Sequence, residues 1–214
     1  MPGAGDNPYF TNPRPDMLGF VPPGLGRVLE LGCGSGHFGA ALKRKGVREI
    51  VGVELSAAAA QAARERLDRV IVADLERGTL DLPAEGFDAL VCNDVLEHLT
   101  DPWGVLKTLS GYLRRDGWLI ASIPNVRHHK VVRRLIWPGR WRYENDGILD
   151  RTHLRFFTRE SARELVELAG FRIERLEGIN PSGFPFWMRL IDAAVLGRLD
   201  DMRYLQFAIV ARRI

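Results

Sequence analysis

Arg27-Val28-Leu29-Glu30-Leu31-Gly32-Cys33-Gly34-Ser35-Gly36-His37-Phe38-Gly39 is the stretch that decides the fold of this chain. Val28 to Leu31 reads as a short buried strand, followed by a glycine-rich turn and a helix opening over Phe38-Gly39-Ala40-Ala41-Leu42-Lys43-Arg44. Glycine has no Cβ, so the backbone can turn tightly and come close to a ligand. The free N–H groups at the start of the new helix then point at whatever occupies the turn. Gly34 to Gly39 also spells GxGxxG, which alone is a weak pointer to a dinucleotide. Glu30, two residues before Gly32, changes that reading. A carboxylate there sits badly beside a pyrophosphate and well beside a cation. A strand–turn–helix without ligand and a nucleotide-binding oxidoreductase stay open as rivals.

Working outward, 214 residues of which 46% are hydrophobic suit one domain with a sizeable core, residues 1–214. A net charge of +3 is too small to argue for nucleic acid without a localised patch. Cys33 and Cys92 read as small packing residues at strand ends by the cleft, in a reducing compartment. Met1-Pro2-Gly3-Ala4-Gly5-Asp6 shows no basic region before an apolar run, and no apolar run approaches spanning length. The expectation is a cytoplasmic protein.

Residues 1–26 form an N-terminal arm rich in Pro and Gly, with room for one or two helical turns over Asp16 to Val21. Tyr9 and Arg14 either fold over the ligand, Arg14 pairing with a carboxylate, or belong to a solvated tail. Beyond the first strand, hydrophobic runs predict strands over Glu49–Glu54, Arg69–Asp74, Phe87–Asp94, Trp118–Pro124, Phe171–Leu176 and Gln206–Arg212. Helices are predicted over Ala57–Leu67 behind a Ser56 cap, over Gly104–Arg115, and over Glu160–Ala169 behind a Thr158 cap. The alternation implies right-handed βαβ units, hence an α/β, doubly wound, Rossmann-like sheet of seven strands with helices on both faces. The last strand follows the sixth without a long helical crossover, so it is expected antiparallel. Glu30, Glu54 and Asp74 each close a strand. Glu54 stands about 20 residues past the glycine turn, where a carboxylate takes both ribose hydroxyls of an adenosine.

Glu30, Gly32, Gly34 and Gly36 resemble motif I, E/D-x-G-x-G-x-G, of class I S-adenosylmethionine-dependent methyltransferases. Phe87-Asp88-Ala89-Leu90-Val91-Cys92-Asn93-Asp94-Val95-Leu96-Glu97-His98-Leu99 resembles the matching segment of the ubiquinone/menaquinone-type branch. The resemblance spans roughly residues 27–125 and 156–214. It implies S-adenosylmethionine as cofactor, with S-adenosylhomocysteine as product: a sulfonium and an ammonium, without phosphate. Glu30, Gly32, Cys33, Gly34, Gly36, Glu54, Leu55, Asn93 and Arg14 are the expected holders, with Asp74 on the adenine amine and Leu75 on its ring. Asp150-Arg151-Thr152-His153-Leu154-Arg155-Phe156-Phe157-Thr158 is similar to a segment of methyltransferases in surface-polysaccharide and sugar-modification pathways. That likeness implies a sugar or glycan-precursor hydroxyl as acceptor.

Two insertions, 126–157 and 178–205, leave the ligand side of the sheet. The first carries Arg127, His128, His129, Lys130, Arg133, Arg134, Arg140 and Arg142 among Trp137, Trp141 and Tyr143, with no acid between Asp116 and Glu144. It suits a phosphate-bearing acceptor, an anionic membrane surface, RNA, or merely a solvated amphipathic helix over Val126–Ile136. The second, Phe184-Pro185-Phe186-Trp187-Met188-Arg189-Leu190-Ile191, is apolar enough to roof a pocket, pack a homodimer or touch a bilayer. A hydroxyl acceptor must lose a proton, and His is the natural base near neutrality. His153 is the first candidate, with Asp150 as its orienting acid; His98 is the second, and His37 is expected to pack near the cofactor. No His/Cys/Asp/Glu set has metal-ligand spacing, so no metal is expected. Asn93-Asp94-Val95-Leu96 stands where amino-methylating DNA and protein-glutamine enzymes carry Asn-Pro-Pro-Tyr, which argues against that chemistry. A non-catalytic module of the same fold and an RNA methyltransferase are the alternatives to a small-molecule enzyme.

Overall fold

The computed structural model describes residues 12–214, so Tyr9 and the rest of residues 1–11 lie outside the described residues. Along the chain run α1 (Pro15–Leu18), β1 (Arg27–Leu31), α2 (His37–Arg44), β2 (Glu49–Glu54), α3 (Ala57–Ala63), β3 (Arg69–Val72) and β4 (Phe87–Asn93). Then follow α4 (Pro102–Ser110), β5 (Leu113–Pro124), α5 (His129–Ile136), α6 (Arg159–Leu168), β6 (Phe171–Pro181), α7 (Phe186–Ala194) and β7 (Tyr204–Arg213). The seven strands form one sheet in the order β3-β2-β1-β4-β5-β7-β6. β7 is antiparallel to both of its neighbours and the other pairings are parallel, as expected from the sequence.

β1, β2 and β4 are buried on both faces, which is why they read as continuous apolar runs. Leu29 lies between Val51 and Leu90 in register. One layer packs Leu29 and Leu90 under α4 and α6, through Leu106, Leu109, Ala162 and Leu165. The opposite layer packs Val28, Ile50 and Val91 under Met17 of α1, Leu42 of α2 and Ala63 of α3. The strand order reverses between β1 and β4, and at such a switch point the crevice opens at the carboxyl ends of the strands.

Where elements differ from the sequence reading, a tertiary partner is the cause. α3 stops at Ala63, four residues short of Leu67, because Leu67 turns back onto the glycine motif. A Cβ on Gly39 would come within 2.5 Å of Leu67 Cδ2 and 2.6 Å of Glu30 Oε2, so any side chain there would push both of them out of place. β5 starts at Leu113, well before Trp118, because Leu113 pairs with Phe87 and the register then shifts past Arg114. Arg114 reaches Asp88 at 3.0 Å across that irregularity. β6 runs on to Pro181 because β7 begins at Tyr204 and pairs with it there. α5 starts at His129 and not Val126, since the Asn125 side chain accepts from Arg127 N and donates to the carbonyls of Asp201 and Tyr204. Cys92 is fully buried inside β4, so only Cys33 of the two cysteines reaches the cleft. Among the described residues no helix is long and apolar enough to cross a membrane.

Candidate active site

A cavity of about 1110 Å³ opens over the carboxyl ends of β1, β2 and β4. Its wall includes Glu30, Gly32, Cys33, Gly34, Glu54, Leu55, Asp74, Leu75 and Asn93, together with Arg14. Asp150, His153 and His98 line the same cavity. Gly36 and His37 do not; Gly36 caps α2 with φ +80°, and His37 opens that helix.

The glycine turn is held open by its backbone. Gly32 has φ +60°, and a Cβ there would lie 2.6 Å from Val95 Cγ2. Glu54 accepts from Gly34 N at 2.9 Å and Ser56 N at 2.8 Å, so the end of β2 clamps the turn. Glu30 is buried, and its Oε2 has no hydrogen-bond partner among the described residues. Burial pushes its carboxyl up to about 8, the neighbouring Glu54 charge adds to this, and the Gly39 N–H opposes it. Both amide atoms of Asn93 are likewise buried without a partner. Buried polar groups left unpaired beside a cavity are what a bound ligand would satisfy. Asp74 accepts from Glu76 N at 3.0 Å and pairs with Arg77 at 3.2 Å, keeping its carboxylate at the rim. An orphaned acid on β1, a glycine cradle and a free amide on β4 fit a cationic adenosine compound without phosphate.

Arg14 lines the cavity, and the carboxylates it pairs with belong to the protein. Its guanidinium donates to Asp16, Asp94, Ser122 (3.0 Å) and Gln206 (3.3 Å), so protein carboxylates already occupy it. The role indicated is a strut tying the arm to β4, β5 and β7.

The candidate catalytic histidines meet edge to face, with ring centroids 4.7 Å apart. His153 is buried, with Nδ1 3.0 Å from the Ile148 carbonyl and Nε2 4.0 Å from Glu97 Oε1. His98 Nδ1 lies 3.2 Å from the Thr152 carbonyl, and burial followed by the His153 charge lowers its pKa. Asp150 does not orient His153: its Oδ1 accepts from Thr152 N at 2.7 Å and Thr152 Oγ1 at 2.6 Å, closing its own turn. Burial would raise that carboxyl, yet these two bonds hold it below the usual range.

Asp94 and Glu97 were not among the expected residues. Asp94, at φ +53°, ties Arg14, Ser122 and Gln206 together. Glu97 is fully buried, neither carboxylate oxygen has a hydrogen-bond partner among the described residues, and burial raises its pKa well above the ordinary value. Its sequence signal is an acid inside the apolar run Val95-Leu96-Glu97-His98-Leu99. Ligand atoms of Glu97, His98 and His153 lie within 4.8 Å of one another, a metal-sized grouping that spacing could not reveal because His153 comes from another segment.

The methyltransferase domain family model matches residues 10–176. A ubiquinone biosynthesis O-methyltransferase of Actinobacillus pleuropneumoniae is 27% identical over 108 residues, 46% of each chain. A Mycobacterium tuberculosis protein described as a probable S-adenosylmethionine-dependent methyltransferase is 32% identical over 144 residues, 67% of this chain and 48% of its own length. The chain thus spans about half the length of these curated relatives. A solved S-adenosylmethionine-dependent methyltransferase from Mesorhizobium loti superposes with a TM-score of 0.65 at 22% identity, covering 93% of this chain and 96% of that one. The chain belongs to the methyltransferase domain family.

Proposed function

We propose that the protein is an S-adenosylmethionine-dependent O-methyltransferase acting on the hydroxyl of a sugar, glycan precursor or other small polar metabolite. The observation that carries this reading is the buried Glu97–His153 pair in the wall of the cofactor cavity. When bound, the cofactor supplies a methyl group on an already activated leaving group, so the protein has to position the acceptor and remove its proton. Glu30, Glu54, Asp74 and Asn93 would hold the cofactor, and the Asn145–His153 segment faces the acceptor. An N–H at His153 Nδ1 donating to the Ile148 carbonyl leaves Nε2 as the acceptor, the tautomer that a base requires. Glu97, whose carboxyl burial holds in its protonated form, would ionise most readily once a positive imidazolium forms beside it.

The cavity wall also bears on acceptor charge. Its cations among the described residues are Arg14, already paired, and Arg151, against several carboxylates. The Arg127 to Arg142 patch does not line it, so a neutral, hydroxyl-rich acceptor fits the wall better than an anionic one.

The same corner has the pattern of a metal site. Both histidines rest Nδ1 on a backbone carbonyl, as metal-bound imidazoles do, and Glu97 lacks a hydrogen-bond partner among the described residues. A divalent ion there would lower the pKa of the acceptor hydroxyl directly.

One set of assays separates these outcomes. S-adenosylhomocysteine formation from a panel of polyol acceptors should fall on the order of 100-fold in His153→Ala, with cofactor affinity by calorimetry nearly unchanged. Full turnover in that variant, or no cofactor binding by the wild type, overturns the proposal. Activity that disappears on dialysis against chelator and returns with zinc or manganese assigns the corner to a metal.

A further inference from the structure

α5 and α7 form one unit at the carboxyl ends of β5 and β6. Val132 of α5 packs against Phe184, Met188 and Met202, and His128 and His129 both reach Ser182 Oγ, at 2.6 and 3.2 Å. Away from that seam, large apolar side chains point into solvent. Ile136 is 75% exposed, Trp137 82%, Phe186 74% and Leu196 88%, with Leu135 and Leu190 also exposed. Large apolar side chains left exposed on two helices that pack together mark an interaction surface.

The charges on the unit are one-sided. Glu144 is held by Arg134, Asp201 by Arg127 and Asp200 by Arg203, while Asp192 accepts from Leu199 N. Lys130, Arg133, Arg140, Arg142 and Arg189 have no acidic partner within 4 Å among the described residues. Cations beside exposed Trp, Phe, Leu and Ile make up the composition of a surface that lies in a lipid headgroup layer.

We propose that the α5/α7 face docks onto an anionic lipid bilayer. Anionic headgroups attract the unpaired cations, while Ile136, Trp137, Phe186 and Leu196 enter the acyl boundary. A second copy of the chain is disfavoured by charge, since a twofold interface would set these cations against their own equivalents. RNA would pair with the cations but leave the leucines and isoleucine in water. The same two insertions supply Asn145 and Leu205 to the cavity wall, so docking brings the cavity entrance toward the bilayer.

Co-sedimentation of the full chain with vesicles tests this. Binding to phosphatidylcholine vesicles containing about a third phosphatidylglycerol should be about tenfold tighter than to phosphatidylcholine alone, and should weaken with salt. Trp137→Ala with Phe186→Ala should abolish it, and Arg133→Gln with Arg140→Gln should remove the preference for anionic lipid. Leu168→Ser, a change at another exposed leucine, on α6, should bind as wild type does. Unchanged cofactor affinity in every variant shows that the fold is intact. No vesicle binding, or binding indifferent to these changes, overturns the proposal. So does concentration-dependent dimerisation that Trp137→Ala with Phe186→Ala abolishes, or salt-dependent binding to RNA in place of vesicles.

Discussion

Glu30 lies one residue before the end of a buried strand, with one carboxylate oxygen unpartnered among the described residues and its pKa raised to about 8 by burial. In the native protein it holds its proton well above the pH at which an unfolded glutamate loses it. Stability from this group is therefore present at low pH and is lost as pH rises from the ordinary carboxylate range towards 8. A cationic ligand reverses the preference and expels the proton. Calorimetry near pH 7 in buffers of different ionisation enthalpy should show close to one proton released per cofactor bound. Glu30→Gln should bind at least tenfold more weakly, about 1.4 kcal/mol, and release no proton; equal release in both proteins would remove Glu30 from this role. Glu30, Glu54 and Asp74 were legible because each acid closes a hydrophobic run. Glu97 and Asp94 were not, because their meaning comes from segments distant in sequence: His153 for one, Arg14 and Gln206 for the other.

Element starts with a local chemical signal were legible; element ends set by a neighbour were not. Ser56 and Thr158 each cap a helix as their residue types suggest, whereas Asp101 caps α4 so that it starts at Pro102, two residues ahead of the expected Gly104, and α4 ends at Ser110 and not Arg115. The end of α3 and the start of β5 were misplaced, because Leu67 and Leu113 answer to the glycine motif and to Phe87. Thr158 forms a reciprocal cap: Ser161 N donates to its Oγ1 at 3.3 Å, and its own N donates to Ser161 Oγ at 2.9 Å. Thr158→Ala should cost about 1 kcal/mol, lowering Tm by roughly 2–4 °C in calorimetry. An unchanged Tm would mean that α6 is held by packing alone.

At the scale of the whole molecule, Arg14 fastens the described part of the arm across the sheet. It binds Asp94 after β4, Ser122 of β5 and Gln206 of β7, while Asn180 of β6 donates to Asp16 and Gln206. Arg14→Met would leave Asp16 and Asp94 without their cation. The loss should be about 2–4 kcal/mol in urea unfolding, below the fully buried range because both carboxylates keep some water contact. A change under about 0.5 kcal/mol would show that the arm is not anchored this way.

The place of β7 between β5 and β6 has a consequence for how this half of the protein holds together. β6 meets the other strands through β7 alone, so it shares the fate of its neighbour. Loss of β7 from the sheet would take Gln206 out of the Arg14 strut and free one end of the segment that carries α7 between β6 and β7. One antiparallel strand thereby joins the Arg14 strut, the edge strand and the exposed helical unit in a single mechanical unit.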